Sequence, residues 1–127
     1  MDYEFVESAY IQYRIEDGIL FADYKEMEML TLAIAKNIIA TRKIFTRGRT
    51  FPMLLDLTKV KNVSKESMSF FASKDTTEGV SKGAFIVSSS SFARIMFNFF
   101  LLIYNPGPSS RLFQSKEEAL KWLKKDL

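Results

Sequence analysis

The residues best equipped for chemistry sit where expected strands end and helices begin. Asp56 closes the apolar run Phe51-Pro52-Met53-Leu54-Leu55-Asp56-Leu57, and ligands collect at the C-terminal ends of strands in open α/β sheets. A carboxylate there orients a ligand, accepts from a neighbouring helix N-terminus, or is satisfied by backbone donors at a turn. Ser88, Ser89, Ser90 and Ser91 lie between the apolar run Gly83-Ala84-Phe85-Ile86-Val87 and a very apolar segment. Hydroxyls and N–H groups at such a junction can converge on a phosphate or carboxylate at the positive end of a helix. Plain capping needs only one of the serines, and no glycine-rich phosphate loop accompanies them. Ser64 opens a short helical pattern and Arg94 brings a cation to the apolar one. The possible ligand or anion contacts are therefore Asp56, Ser64, Ser88, Ser89, Ser90 and Arg94.

The chain has no cysteine and no histidine. Disulfides, thiolate metal sites, cysteine nucleophiles and imidazole bases are excluded together. Carboxylates, lysines, tyrosines and hydroxyls remain, with no paired carboxylates at a diagnostic spacing, so the expectation is a protein that is not an enzyme and carries no metal or cofactor.

A chain of 127 residues is long enough for one real core and too short for two, so 1–127 reads as a single domain. Apolar residues make up 47% and charged residues 26%, the balance of a globular chain and not of a disordered one. The formal charge of +3 is a small excess of 18 basic over 15 acidic residues. Its clusters, Arg42, Lys43, Arg47 and Arg49, then Lys121, Lys124 and Lys125, fall at expected helix ends, where cations complement the dipole. No nucleic-acid partner is expected. The start Met1-Asp2-Tyr3-Glu4 has neither a basic nor an apolar leader region, and with the lack of cysteine it points to the cytoplasm.

Positioning these groups falls to an alternating series of elements. Tyr10 to Glu16 alternates polar and apolar, Asp17-Gly18 makes a turn, and Ile19 to Tyr24 is a second apolar run: a β-hairpin. Residues 3–7 extend the first strand or form a separate edge piece; the Ser8-Ala9 step does not decide between them. Leu32, Ala35, Ile38, Ile39, Arg42 and Phe45 recur at helical spacing over about 32–47, with Thr31 as N-cap and Gly48 past the end. The run from Phe51 reads as a strand buried on both faces. A short helix follows Ser64 and ends near Lys74, and Asp75 to Lys82 reads as loop. A strand over Gly83–Val87 leads to a helix over about 91–104, which Asn105-Pro106-Gly107-Pro108 stops. A short strand, Arg111-Leu112-Phe113, precedes a capping box at Ser115-Lys116-Glu117-Glu118 and a last amphipathic helix. The result is an α/β fold, a mixed sheet of about five strands opened by a hairpin, with four helices. Leu55 and Phe85 are expected on central strands, both almost fully buried.

This order resembles the SpoIIAA-like (STAS-type) family, particularly the uncharacterised bacterial branch compared with CRAL-TRIO lipid-transfer domains. The resemblance rests on Glu16-Asp17-Gly18-Ile19-Leu20, on Phe51 to Asp56, on Ala84-Phe85-Ile86-Val87, and on Arg111-Leu112-Phe113 leading to Glu117-Glu118-Ala119-Leu120-Lys121-Trp122-Leu123. In STAS anti-anti-sigma factors an Asp-Ser pair at the next helix start carries a phosphorylated serine. Here that start reads Ser64-Lys65-Glu66-Ser67, with a lysine in the acceptor position, so the resemblance transfers no site residue.

The helix over 91–104 is apolar beyond what one sheet-packing face needs. Phe92, Ile95, Met96, Phe99 and Ile103 make that face, while Ala93, Phe97, Phe100 and Tyr104 form a ridge beside it. With about 14 residues it is too short to span a bilayer, so no integral membrane association is expected. The expected function is a non-catalytic interaction or regulatory module that forms a homodimer or docks to a protein partner through this ridge. The alternative is a carrier or sensor of an apolar or lipid-like small molecule, and an enzyme acting on a small anion at the serine turn is the weaker third reading.

Overall fold

The computed structural model describes residues 4–87 and 109–125. Its centre is one six-stranded sheet whose strand order repeats the chain order. The strands are β1 (Glu4–Glu7), β2 (Ile11–Glu16), β3 (Ile19–Tyr24), β4 (Phe51–Asp56), β5 (Val80–Ile86) and β6 (Ser109–Phe113). β1 to β3 are antiparallel neighbours, and β3 to β6 run parallel. The helices among the described residues are α1 (Leu32–Thr46), α2 (Lys65–Phe71), α3 (Lys74–Thr77) and α4 (Lys116–Lys124).

Local chemistry explains most boundaries. Asp17 and Gly18 both take positive φ, 54° and 76°, the condition for a two-residue turn whose twist matches the flanking strands. Thr31, Ser64 and Ser115 each cap a helix by accepting from the N–H three residues on. Arg47 ends α1 in the left-handed region and Gly48 follows with φ 79°.

The sheet has two unlike faces. Ile11, Tyr13, Leu20, Tyr24, Met53 and Leu55 turn toward α1, α2 and α3, with Ala35, Ile38 and Ile39 opposite them. Ile19, Phe21, Leu54, Ala84, Ile86 and Phe113 turn toward α4, which supplies Ala119 and Leu123. β3 is buried at five of its six positions because it is covered on both faces, whereas β2 alternates strictly between buried and half-buried.

Several details differ from the sequence reading. The count is six strands and not about five, because Glu4–Glu7 forms its own edge strand on β2. Ser8 donates its N–H to Ile11 O at 2.9 Å, a tight reversal, and Arg49 grips Glu4 through two bonds of 2.8 and 3.0 Å. That guanidinium holds the Glu4 carboxyl below its ordinary value. Asp75 to Lys82 is not loop throughout: Ser73 caps α3, and β5 begins at Val80. Leu55 is buried as expected, but Phe85 is only half-buried, because it borders a cavity.

Candidate functional site

Between β4 and β5 on one side and α1, α2 and α3 on the other lies a cavity of about 60 Å³, partly open to solvent. Its walls include Tyr24, Arg42, Met53, Leu55, Phe71 and Phe85, and they are overwhelmingly apolar. Gly83 contributes bare backbone on the sheet side. A Cβ there would come within 3.4 Å of Phe85 Cε2, 3.6 Å of Ser110 Oγ and 3.8 Å of Leu55 Cδ1, so the missing side chain is part of what leaves the space.

Arg42 is the one cation among the lining residues described. It is 5% exposed, although the sequence reading placed it in a basic cluster at a helix end. The correction follows from its spacing: Arg42 lies four residues after Ile38 and three after Ile39, on the buried stripe of α1. Its Nη2 donates to the carbonyls of Thr76 and of Glu78, tying α1 to α3. The rest of that cluster is ordinary surface: Lys43 pairs with Asp75, and Arg47 and Arg49 with Glu4. Tyr24, 3% exposed, brings a phenol that burial pushes above its ordinary value and that the charge of Arg42 pulls back. It therefore stays protonated and able to donate.

The residues expected from sequence to contact a ligand do not converge here. Asp56 Oδ1 accepts from the N–H of Thr58 at 3.0 Å and from its hydroxyl at 2.7 Å, the local turn that a carboxylate after a strand commonly makes. Ser64 accepts from Ser67 N–H at 3.1 Å, while Ser67, fully buried, donates its hydroxyl to Leu30 O at 2.8 Å. Ser64 is thus a cap, and no hydrogen bond or ion pair joins it to Asp56. Ser88, Ser89, Ser90 and Arg94, with the ridge Ala93, Phe97, Phe100 and Tyr104, lie outside the described residues.

The parallel register also sets Asp23 of β3 beside Asp56 of β4, a carboxylate pair invisible as sequence spacing. Burial raises the Asp23 carboxyl and the charge of Asp56 raises it further, against Lys116, Arg14 and Lys59. The pair belongs to the α4 face, on the other side of the sheet from the cavity. Among the described residues no group of three acidic side chains gathers as a metal site, and no helix is long and apolar enough to cross a membrane.

A mixed sheet opened by a hairpin, with α1, α2 and α3 on one face and α4 on the other, fits a SpoIIAA-like fold. The crystal structure of an uncharacterised protein of the DUF3478 family with a SpoIIAA-like fold, from Shewanella loihica PV-4, superposes with a TM-score of 0.57. The match covers 95% of this chain and 91% of that one at 16% identity, a likeness of fold alone. The chain belongs to the DUF7793 family, a domain of unknown function, whose model matches residues 13–126. No curated protein sequence matches it.

Proposed function

We propose that this domain is a non-catalytic binding module that holds a small apolar ligand in the cavity between the sheet and the α1–α3 layer. The observation that carries the reading is the cavity itself, an apolar space beside the central strands, where protein interiors are ordinarily close-packed. Its volume of about 60 Å³ is well below the roughly 300–1,000 Å³ of drug-sized sites. The ligand is accordingly small, or its far end leaves through the open side. A cytoplasmic location is part of the reading, supported by the lack of cysteine.

The test is an NMR titration with hexan-1-ol and with hexanoate. Saturable shifts at the Leu55, Val63 and Met68 methyls are expected with at least one probe. Gly83→Val should fill the space and weaken binding at least about tenfold, while changing stability by less than about 1 kcal/mol, since a β-branched residue suits a strand. A protein that binds neither probe overturns the reading.

A second reading is supported by the sequence pattern Ala93, Phe97, Phe100 and Tyr104: self-association as a homodimer, the same ridge meeting itself across a two-fold axis. Phe97→Asp combined with Phe100→Asp is expected to turn a dimer into a folded monomer in sedimentation. An unchanged oligomer, or a wild type that is already monomeric, defeats it.

A further inference from the structure

Two buried donors border the cavity without an acceptor. Arg42 spends only Nη2 on protein carbonyls; its Nε and Nη1 have no hydrogen-bond partner, and no carboxylate lies within 4 Å, among the described residues. The hydroxyl of Tyr24 likewise has no partner among them, although the nearby buried Tyr13 donates to Ile38 O at 2.9 Å. Buried polar groups are nearly always satisfied, and an uncompensated buried cation is the costliest exception. Both residues line the same apolar space.

Resting on the reading of that space as a ligand site, we propose that the ligand is a small apolar carboxylic acid, a short-chain fatty acid or its like. Its carboxylate accepts from Arg42 Nη1 or Nε and from the Tyr24 hydroxyl, and its hydrocarbon lies against Met53, Leu55, Phe71 and Phe85. The charge selects the head: one guanidinium calls for one negative charge, and a charge-assisted hydrogen bond is about twice as strong as a neutral one. A phosphate brings more charge and more acceptor oxygens than these donors match. Of the hydroxyls that α3 offers, that of Thr77 already donates to Ser73 O, and Thr76 Oγ1 accepts from Ser73 Oγ.

Calorimetric titration of the full chain with hexanoate and hexan-1-ol tests this. Hexanoate is expected to bind at least about tenfold more tightly than hexan-1-ol, the worth of one hydrogen bond to a charged group. Tyr24→Phe should weaken hexanoate by about tenfold or more, since its bond too is made to a charged group, and Arg42→Met should abolish the preference for the acid. If Arg42→Met does not fold, the head-group comparison on the wild type and Tyr24→Phe decides. Hexan-1-ol binding as tightly as hexanoate overturns the carboxylate and leaves the apolar site standing. Neither probe binding overturns both. Hexanoate affinity unchanged in Tyr24→Phe, or an acid preference that survives in Arg42→Met, also refutes the assignment.

Discussion

Tyr13→Ala is expected to cost about 3–5 kcal/mol, the range for truncating a buried aromatic side chain. Tyr13 is fully buried in the middle of β2 and heads the largest side chains with no exposure. Its ring stacks on Phe45 of α1 with centroids 6.3 Å apart, and its hydroxyl donates to Ile38 O at 2.9 Å. One side chain thus fastens α1 to the antiparallel half of the sheet by area and by a hydrogen bond. Tyr13→Phe separates the two: it keeps the area and should lose only about 0.5–1.5 kcal/mol, the net worth of one such bond. Urea denaturation of both variants, with the slope unchanged, is the measurement. Against a typical stability of about 5–15 kcal/mol the alanine variant is a heavy loss. A cost below about 1.5 kcal/mol for alanine would show that β2 does not anchor the helix.

On the opposite face, Leu54→Ala should cost about 3–5 kcal/mol. Leu54 is fully buried on β4, hydrogen-bonded between β3 and β5, and packs in the cluster that α4 closes with Ala119 and Leu123. Neither neighbouring strand can move in to fill the space, because both are held in register. Phe85→Ala provides the contrast. Its ring already borders open space, so it should lose less than Leu54→Ala despite being larger. Equal losses, read from the same denaturation midpoints, would mean that the cavity is closed in solution. Because Tyr13 and Leu54 lie on opposite faces with no shared partner, their effects should add.

Wherever one residue type has one local consequence, the structure was legible from the chain. Asp17-Gly18 announced the hairpin turn; Thr31, Ser64 and Ser115 announced helix starts. The edge strand was legible only as one of two alternatives, since Glu4–Glu7 is short and is held by Arg49, distant in sequence. Arg42 was misread for the same reason. Its helical spacing placed it on the buried stripe, yet its partners, Thr76 and Glu78, lie in a segment that read as a polar loop. An arginine in register with Ile38 and Ile39 was the available signal. Asp56 drew attention by closing a strand, but a threonine two residues on was enough to satisfy it.

The sheet order bears on how the chain is made. Because β1 to β6 lie in the order in which a ribosome would release them, each new strand meets an edge that is already formed, and none must be threaded between two earlier ones. Closure distances stay modest for a sheet with parallel pairs, which favours rapid folding. The last of the described elements to emerge, α4, covers the face bearing Leu54 and Ile86. Until it does, a nascent domain carries an apolar surface, and that interval is when a chaperone would have most to hold.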